Sequence, residues 1–136
     1  MQVYVVETGS FGNCYLIEYK PKTYIMVDDG LPMPLVKQFV ERNLKSSMNR
    51  ITFCIISHLH GDHLMESNLF NEYSIPIYIP EENLITNEIR RNLITKLTYT
   101  VGKTFYPIPN VKITSFPVPH DSYNLGFRIS IRDNGV

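Results

Sequence analysis

The sequence has no tryptophan, only two cysteines and no excess of either charge, and the last two each remove a class of protein. Two cysteines are too few for a disulfide scaffold. Cys14 and Cys54 each sit in an apolar, strand-like run, where a buried free thiol is the simpler reading and a disulfide is not suggested. Thirteen basic residues balance thirteen acidic ones, so no net field draws the chain to nucleic acid or to an anionic membrane, although a local basic patch stays open. No uncharged apolar run approaches the roughly 20 residues needed to span a bilayer. Met1-Gln2-Val3-Tyr4-Val5-Val6-Glu7 also lacks a basic segment leading into a long apolar one. The expectation is a soluble, cytoplasmic protein without a membrane partner.

What is present is enough for a real core: 43% hydrophobic and 12% aromatic residues in a length that suits a single domain over 1–136. Alternation predicts strands at 2–7, 14–19 and 23–27, punctuated by turns at 9–13 and 21–22, which makes an antiparallel meander. Beyond Asp28-Asp29-Gly30, the spacing of Leu35, Val36, Phe39, Val40 and Leu44 predicts an amphipathic helix over about 34–46 that covers one sheet face. Ile51 to Ile56 is apolar on both faces, as a strand buried inside a layered α/β structure is. A short helix over 64–73, a strand over 75–79 and a helix from Pro80 to about Leu97 follow. Strands near 103–106, at 111–118 and at 125–132 complete the reading. Asn134-Gly135 after an alternating strand is a strong hairpin signal without its second strand. The expectation is a chain lacking its C-terminal part, with an unpaired edge at 125–132 open to a homo-oligomer or to another chain.

Three of the four histidines fall in Ser57-His58-Leu59-His60-Gly61-Asp62-His63, at the end of the buried strand. His58 and His60 are two apart and share a side in an extended segment, while Asp62 and His63 follow where the chain turns. Neutral imidazole with one carboxylate suits zinc, manganese or iron, and favours a hydrolytic site with open positions over a closed thiolate site. A histidine-rich loop can instead be a solvated turn or a pH-sensitive patch. So dense a cluster, placed where α/β sheets present their sites, favours metal. The fourth histidine, His120, also stands at a strand end, before Asp121, and alone it could be a core or surface residue.

His-x-His-x-Asp-His resembles the signature of the metallo-β-lactamase fold hydrolases. Gly9-Ser10-Phe11-Gly12-Asn13-Cys14 is similar to that family's N-terminal turn, and Ile25-Met26-Val27-Asp28-Asp29-Gly30 to its strand ending in Asp-x-Gly. Pro119-His120-Asp121 with Gly126-Phe127 resembles the branch containing the WalJ-like exonucleases. The resemblance implies an α/β architecture, the four-layer αββα sandwich, present here as its N-terminal half to two-thirds. It implies His58, His60 and His120 as ligands of a first zinc, and Asp62 and His63 as ligands of a second. Asp62 also handles the nucleophile's proton. Asp28 is implied as a brace for the metal loop, although a plain Asp-Asp-Gly turn explains it equally well on local sequence. Asp29 is read as a turn residue, and Asp121 either orients His120 or faces solvent.

The same comparison exposes what these residues do not supply. The family's complete site adds a bridging Asp and a last His, and neither has a counterpart in 1–136. The expected function is a metal-dependent hydrolase, nuclease-like first, acting on nucleic acid or a nucleotide. An ester, lactone or thioester hydrolase is the alternative of the same fold. A metal-binding half-domain without turnover, needing a second chain, is the alternative of another class.

Overall fold

The computed structural model describes residues 2–7, 13–57, 72–80, 97–118 and 124–132. The first three strands are β1 (Gln2–Glu7), β2 (Cys14–Lys20) and β3 (Thr23–Val27), paired antiparallel as the meander requires. A six-stranded sheet continues from them through β4 (Ile51–Ile55), β5 (Ile77–Pro80) and β6 (Leu97–Tyr99), in the order β1 to β6. From β3 onward the pairing is parallel. A second, three-stranded antiparallel sheet holds β7 (Thr104–Ile108), β8 (Val111–Val118) and β9 (Asn124–Ile131). Among the described residues β9 is an edge strand.

Period-two alternation assigns the two faces of the large sheet to two cores. Leu16, Tyr24, Met26, Cys54, Ile77 and Ile79 point to one side, and Met33, Val36, Val40, Leu44 and Met48 pack down on them. Ile17, Ile25, Phe53, Ile55 and Tyr99 point to the other side, where Val111 and Ile113 of the second sheet meet them. Half-buried Phe105, Phe127, Ile129 and Ile131 close that layer. Among the described residues, helix, sheet and sheet form three stacked layers of the αββα architecture, and the sequence of Ile51 to Ile56 is apolar nearly throughout because β4 serves both cores.

Four expectations need correction. The predicted helix over 34–46 is shorter: α1 (Met33–Gln38) passes into a π-helical turn, Phe39–Asn43. Its last bonds run from the Leu44 N–H to the Phe39 carbonyl (3.2 Å) and from the Ser46 N–H to the Val40 carbonyl (3.0 Å). The chain then swings out through Lys45 at φ 53°. Widening the last turn keeps Val40 and Leu44 on the buried face while the chain leaves the helix. Leu35, counted on the apolar face, is 51% exposed, and Met33 takes its place. The predicted helix from Pro80 does not reach Leu97, because Leu97–Tyr99 is a strand paired parallel to β5. Tertiary pairing of a Leu-Thr-Tyr run overrides a helical reading there. Asp29, read as a turn residue, forms an isolated bridge and is 1% exposed. The turn at 9–12, the helices over 64–71 and 81–96 and the Asn134-Gly135 hairpin lie outside the described residues, although Glu72 and Tyr73 are helical. No helix among the described residues is long and apolar enough to cross a membrane.

Phe53 is 1% exposed and meets the Tyr78 ring edge-on at 5.7 Å between centroids. Phe53→Ala should cost about 3–5 kcal/mol, since the facing sheet cannot collapse into the void. The exposed Phe116→Ala should stay within about 0.5 kcal/mol. Urea unfolding followed by circular dichroism checks both, and equal losses would contradict the two-core arrangement.

Candidate metal centre

Parallel pairing of β3 and β4 brings two distant pieces of sequence to the same sheet end. Val27 pairs with Ile55, so Asp28 and Ile56 leave the sheet side by side. The Asp28 N–H still donates to the Ile55 carbonyl at 2.9 Å, one step beyond the last paired residue. Asp28 then turns through φ 63°, a left-handed conformation that Asp and Asn adopt more readily than most L residues. Gly30 is tied back by its N–H to the Asn13 carbonyl at 2.9 Å, which fixes the start of β2 against the same turn.

That turn aims the Asp28 carboxylate across at Ser57. Its Oδ1 accepts from the Ser57 N–H at 2.7 Å, and the Ser57 hydroxyl lies 3.0 Å from Oδ1 and 2.9 Å from Oδ2. Asp28 is 4% exposed and Ser57 5%, so both are out of water. A buried carboxylate is tolerated when donors surround it, and hydrogen bonds to a charged group are stronger than neutral ones. Ser57 is the residue before His58, so the carboxylate grips the backbone from which the histidine-rich segment departs.

The predicted ligands themselves, His58, His60, Asp62, His63 and His120, lie outside the described residues, as does Asp121. Among the described residues no three His, Cys, Asp or Glu side chains converge as a metal site. What the structure brings together is Asp28, Ser57 and, buried beside them, Asp29. Burial is the signal that sequence could not carry for Asp29.

The donor chemistry fits zinc held by imidazole and carboxylate, and the thiols do not compete. Cys14 and Cys54 are both free and fully buried. They stand on β2 and β4 with β3 between and two residues out of register, so they are at least about 9.5 Å apart by strand spacing, beyond the roughly 7 Å that a disulfide can span. Desolvation, and then the nearby Asp29 and Asp28 carboxylates, push both thiols above their ordinary range. Protonated thiols are poor metal ligands.

These features sit in a chain that the metallo-beta-lactamase superfamily model matches over residues 8–128. No curated protein matches it in sequence. Solved structures with the same fold include a metallo-beta-lactamase with a HARLDQ motif from Cronobacter sakazakii, at TM-score 0.71 and 15% identity over 95% of this chain and 57% of that one. The metallo-beta-lactamase fold protein YhfI from Bacillus subtilis gives TM-score 0.67 and 18% identity over 94% and 57%. FEZ-1 from Legionella gormanii gives TM-score 0.67 and 16% identity over 98% and 57%. The chain thus spans little more than half the length of these structures.

Two outcomes follow from this geometry. Asn tolerates the same backbone conformation but carries one acceptor oxygen, so Asp28→Asn isolates the carboxylate. It should lower stability by about 1–3 kcal/mol and zinc affinity by about 10-fold; unchanged values in chelator competition and urea unfolding would contradict the brace. The thiols give a pH dependence. With native values raised above the unfolded one, unfolding releases protons once pH exceeds about 8.5, so stability falls as pH rises from there. Cys54→Val should flatten that slope between pH 7.5 and 9.5 in urea titrations, whereas an unaltered slope would contradict the assignment.

Proposed function

The chain belongs to the metallo-beta-lactamase superfamily, and on that footing we propose that it carries the histidine-rich loop and the first carboxylate of a metal-dependent hydrolase. The observation that carries this reading is the buried Asp28 carboxylate holding Ser57 at the C-terminal end of a parallel strand, directly before His58. His58, His60 and His120 are assigned to a first ion, and Asp62 and His63 to a second. Asp62 would also orient or accept the nucleophile's proton. Zinc, when bound, supplies Lewis-acid polarisation of the scissile oxygen and makes water acidic enough to yield a nucleophile near neutral pH. Manganese or iron suits the same donors. Asp121 is assigned to orient His120 through its second ring nitrogen.

Phosphodiesters, in a nucleic acid or nucleotide, are the first substrate class. The support is the likeness of Pro119-His120-Asp121 with Gly126-Phe127 to the nuclease branch of the family. Esters, lactones and thioesters are the second class. A metal-binding half-domain completed by another chain is the alternative of another class. The backbone edge of β9, open among the described residues, is where such a chain or a second copy would add.

Zinc content and turnover of bis(p-nitrophenyl) phosphate and p-nitrophenyl acetate, measured on the parent and on His58→Ala, separate these readings. The hydrolase reading expects chelator-sensitive phosphodiesterase activity and, in the variant, a loss of zinc affinity larger than the roughly 10–100-fold that removing a group which only orients a ligand costs. Zinc binding without turnover would favour the half-domain. Zinc content untouched by His58→Ala would remove the assignment altogether.

A further inference from the structure

The peptide unit joining Ile56 to Ser57 is the last one before the histidine-rich segment. Its N–H is held by Asp28 from the β3 side. Its carbonyl faces the other way, toward β5. Parallel pairing there proceeds by the Cys54 N–H to the Pro76 carbonyl and the Ile56 N–H to the Tyr78 carbonyl, each at 2.9 Å. The next rung would run from the N–H of residue 80 to the Ile56 carbonyl. Residue 80 is proline and has no N–H to give, so the ladder stops one bond short of the loop.

Tyr99 fills that position. It pairs with Pro80 across β5 and β6, and its hydroxyl donates to the Ile56 carbonyl at 2.5 Å. Tyr99 is 3% exposed and Ile56 is fully buried, so water does not compete. The ring is held in place by stacking on Phe105 at 5.5 Å and 6°, and by the edge-on ring of Phe127 at 5.9 Å. Both of those rings belong to the second sheet.

We propose that Tyr99 is a positioning residue for the metal loop, clamping with Asp28 the two ends of the single Ile56–Ser57 peptide from which His58 departs. The role rests on the reading of His58 as a ligand. A trans peptide is planar, so fixing its oxygen on one side and its hydrogen on the other fixes its tilt. That tilt sets the direction in which the next residue starts. The clamp also ties the Ile56–Ser57 peptide to the second sheet, through the Phe105 and Phe127 rings packed on Tyr99.

Tyr99→Phe removes only the hydroxyl and keeps the stacked rings. Zinc affinity by chelator competition, the visible spectrum of the cobalt-substituted protein and thermal midpoint are compared for the parent, Tyr99→Phe, Asp28→Asn and the double variant. The clamp predicts an affinity about 10-fold lower in Tyr99→Phe, in the range for groups that orient ligands. It also predicts an altered cobalt spectrum, and a double variant less impaired than the product of the single effects, because both grip one peptide. Parent-like affinity and spectrum in a folded Tyr99→Phe would overturn the clamp. If that variant does not fold, Phe105→Leu, which removes the ring stacked on Tyr99, decides: lower zinc affinity with an altered cobalt spectrum supports the clamp, and parent-like values overturn it. A parent that binds neither zinc nor cobalt would remove the metal reading, and with it the role given to Tyr99.

Discussion

Everything proposed for this chain hangs on one buried carboxylate and the backbone it holds. Asp28 sits in a left-handed conformation at the end of β3 and accepts three hydrogen-bond contacts from Ser57. Without those donors, a carboxylate at 4% exposure would be expensive to bury. With them, the end of β4 is fixed to the end of β3 where pairing has stopped. A metal loop needs such an origin, because imidazoles spread over a few residues can converge on one point only if the segment starts in a defined direction.

The layers exist to make that origin rigid. β4 is flanked on both faces by separate cores, one under the helix and one between the sheets. Neither face can yield without opening a void. On one side the sheet supplies Asp28, and on the other β5 ends in Pro80, whose missing donor leaves a carbonyl for Tyr99 to satisfy. A leftover buried acceptor would cost about 1–3 kcal/mol, so the proline and the tyrosine are one solution distributed over two strands. The same pair shows why the site is a property of both sheets: Tyr99 belongs to the first, and the rings that hold it belong to the second.

Much of this was legible in sequence. The limits of β1 and β3 follow from alternation and turn residues, and the double-sided apolar run at Ile51 to Ile56 announced a strand between two layers. The histidine motif and the Asp-Asp-Gly turn pointed to the family whose fold the chain has. What sequence could not carry was partnership across space. Asp28 and Ser57 are 29 residues apart, and Tyr99 and Ile56 are 43 apart; nothing local at either end marks the other. Asp28 and Asp29 look alike as turn carboxylates, and nothing local announces that both are buried. Leu97 reads as a helix end, and Leu97 to Tyr99 carries no strand signal of its own, because its strand identity comes from β5, to which it is paired. The π-helical turn after Gln38 was hidden for a similar reason: hydrophobic spacing records which residues face the sheet and is blind to one widened turn.

The central claim is that histidine and aspartate, set in place by the Asp28 brace, form the metal centre while the buried thiols stand apart from it. X-ray absorption at the zinc edge of the metal-loaded protein tests this most directly. The account predicts a shell of nitrogen and oxygen alone at about 2.0–2.1 Å, with the outer scattering of imidazole rings. A sulfur shell at about 2.3 Å would place Cys14 or Cys54 on the metal and contradict it.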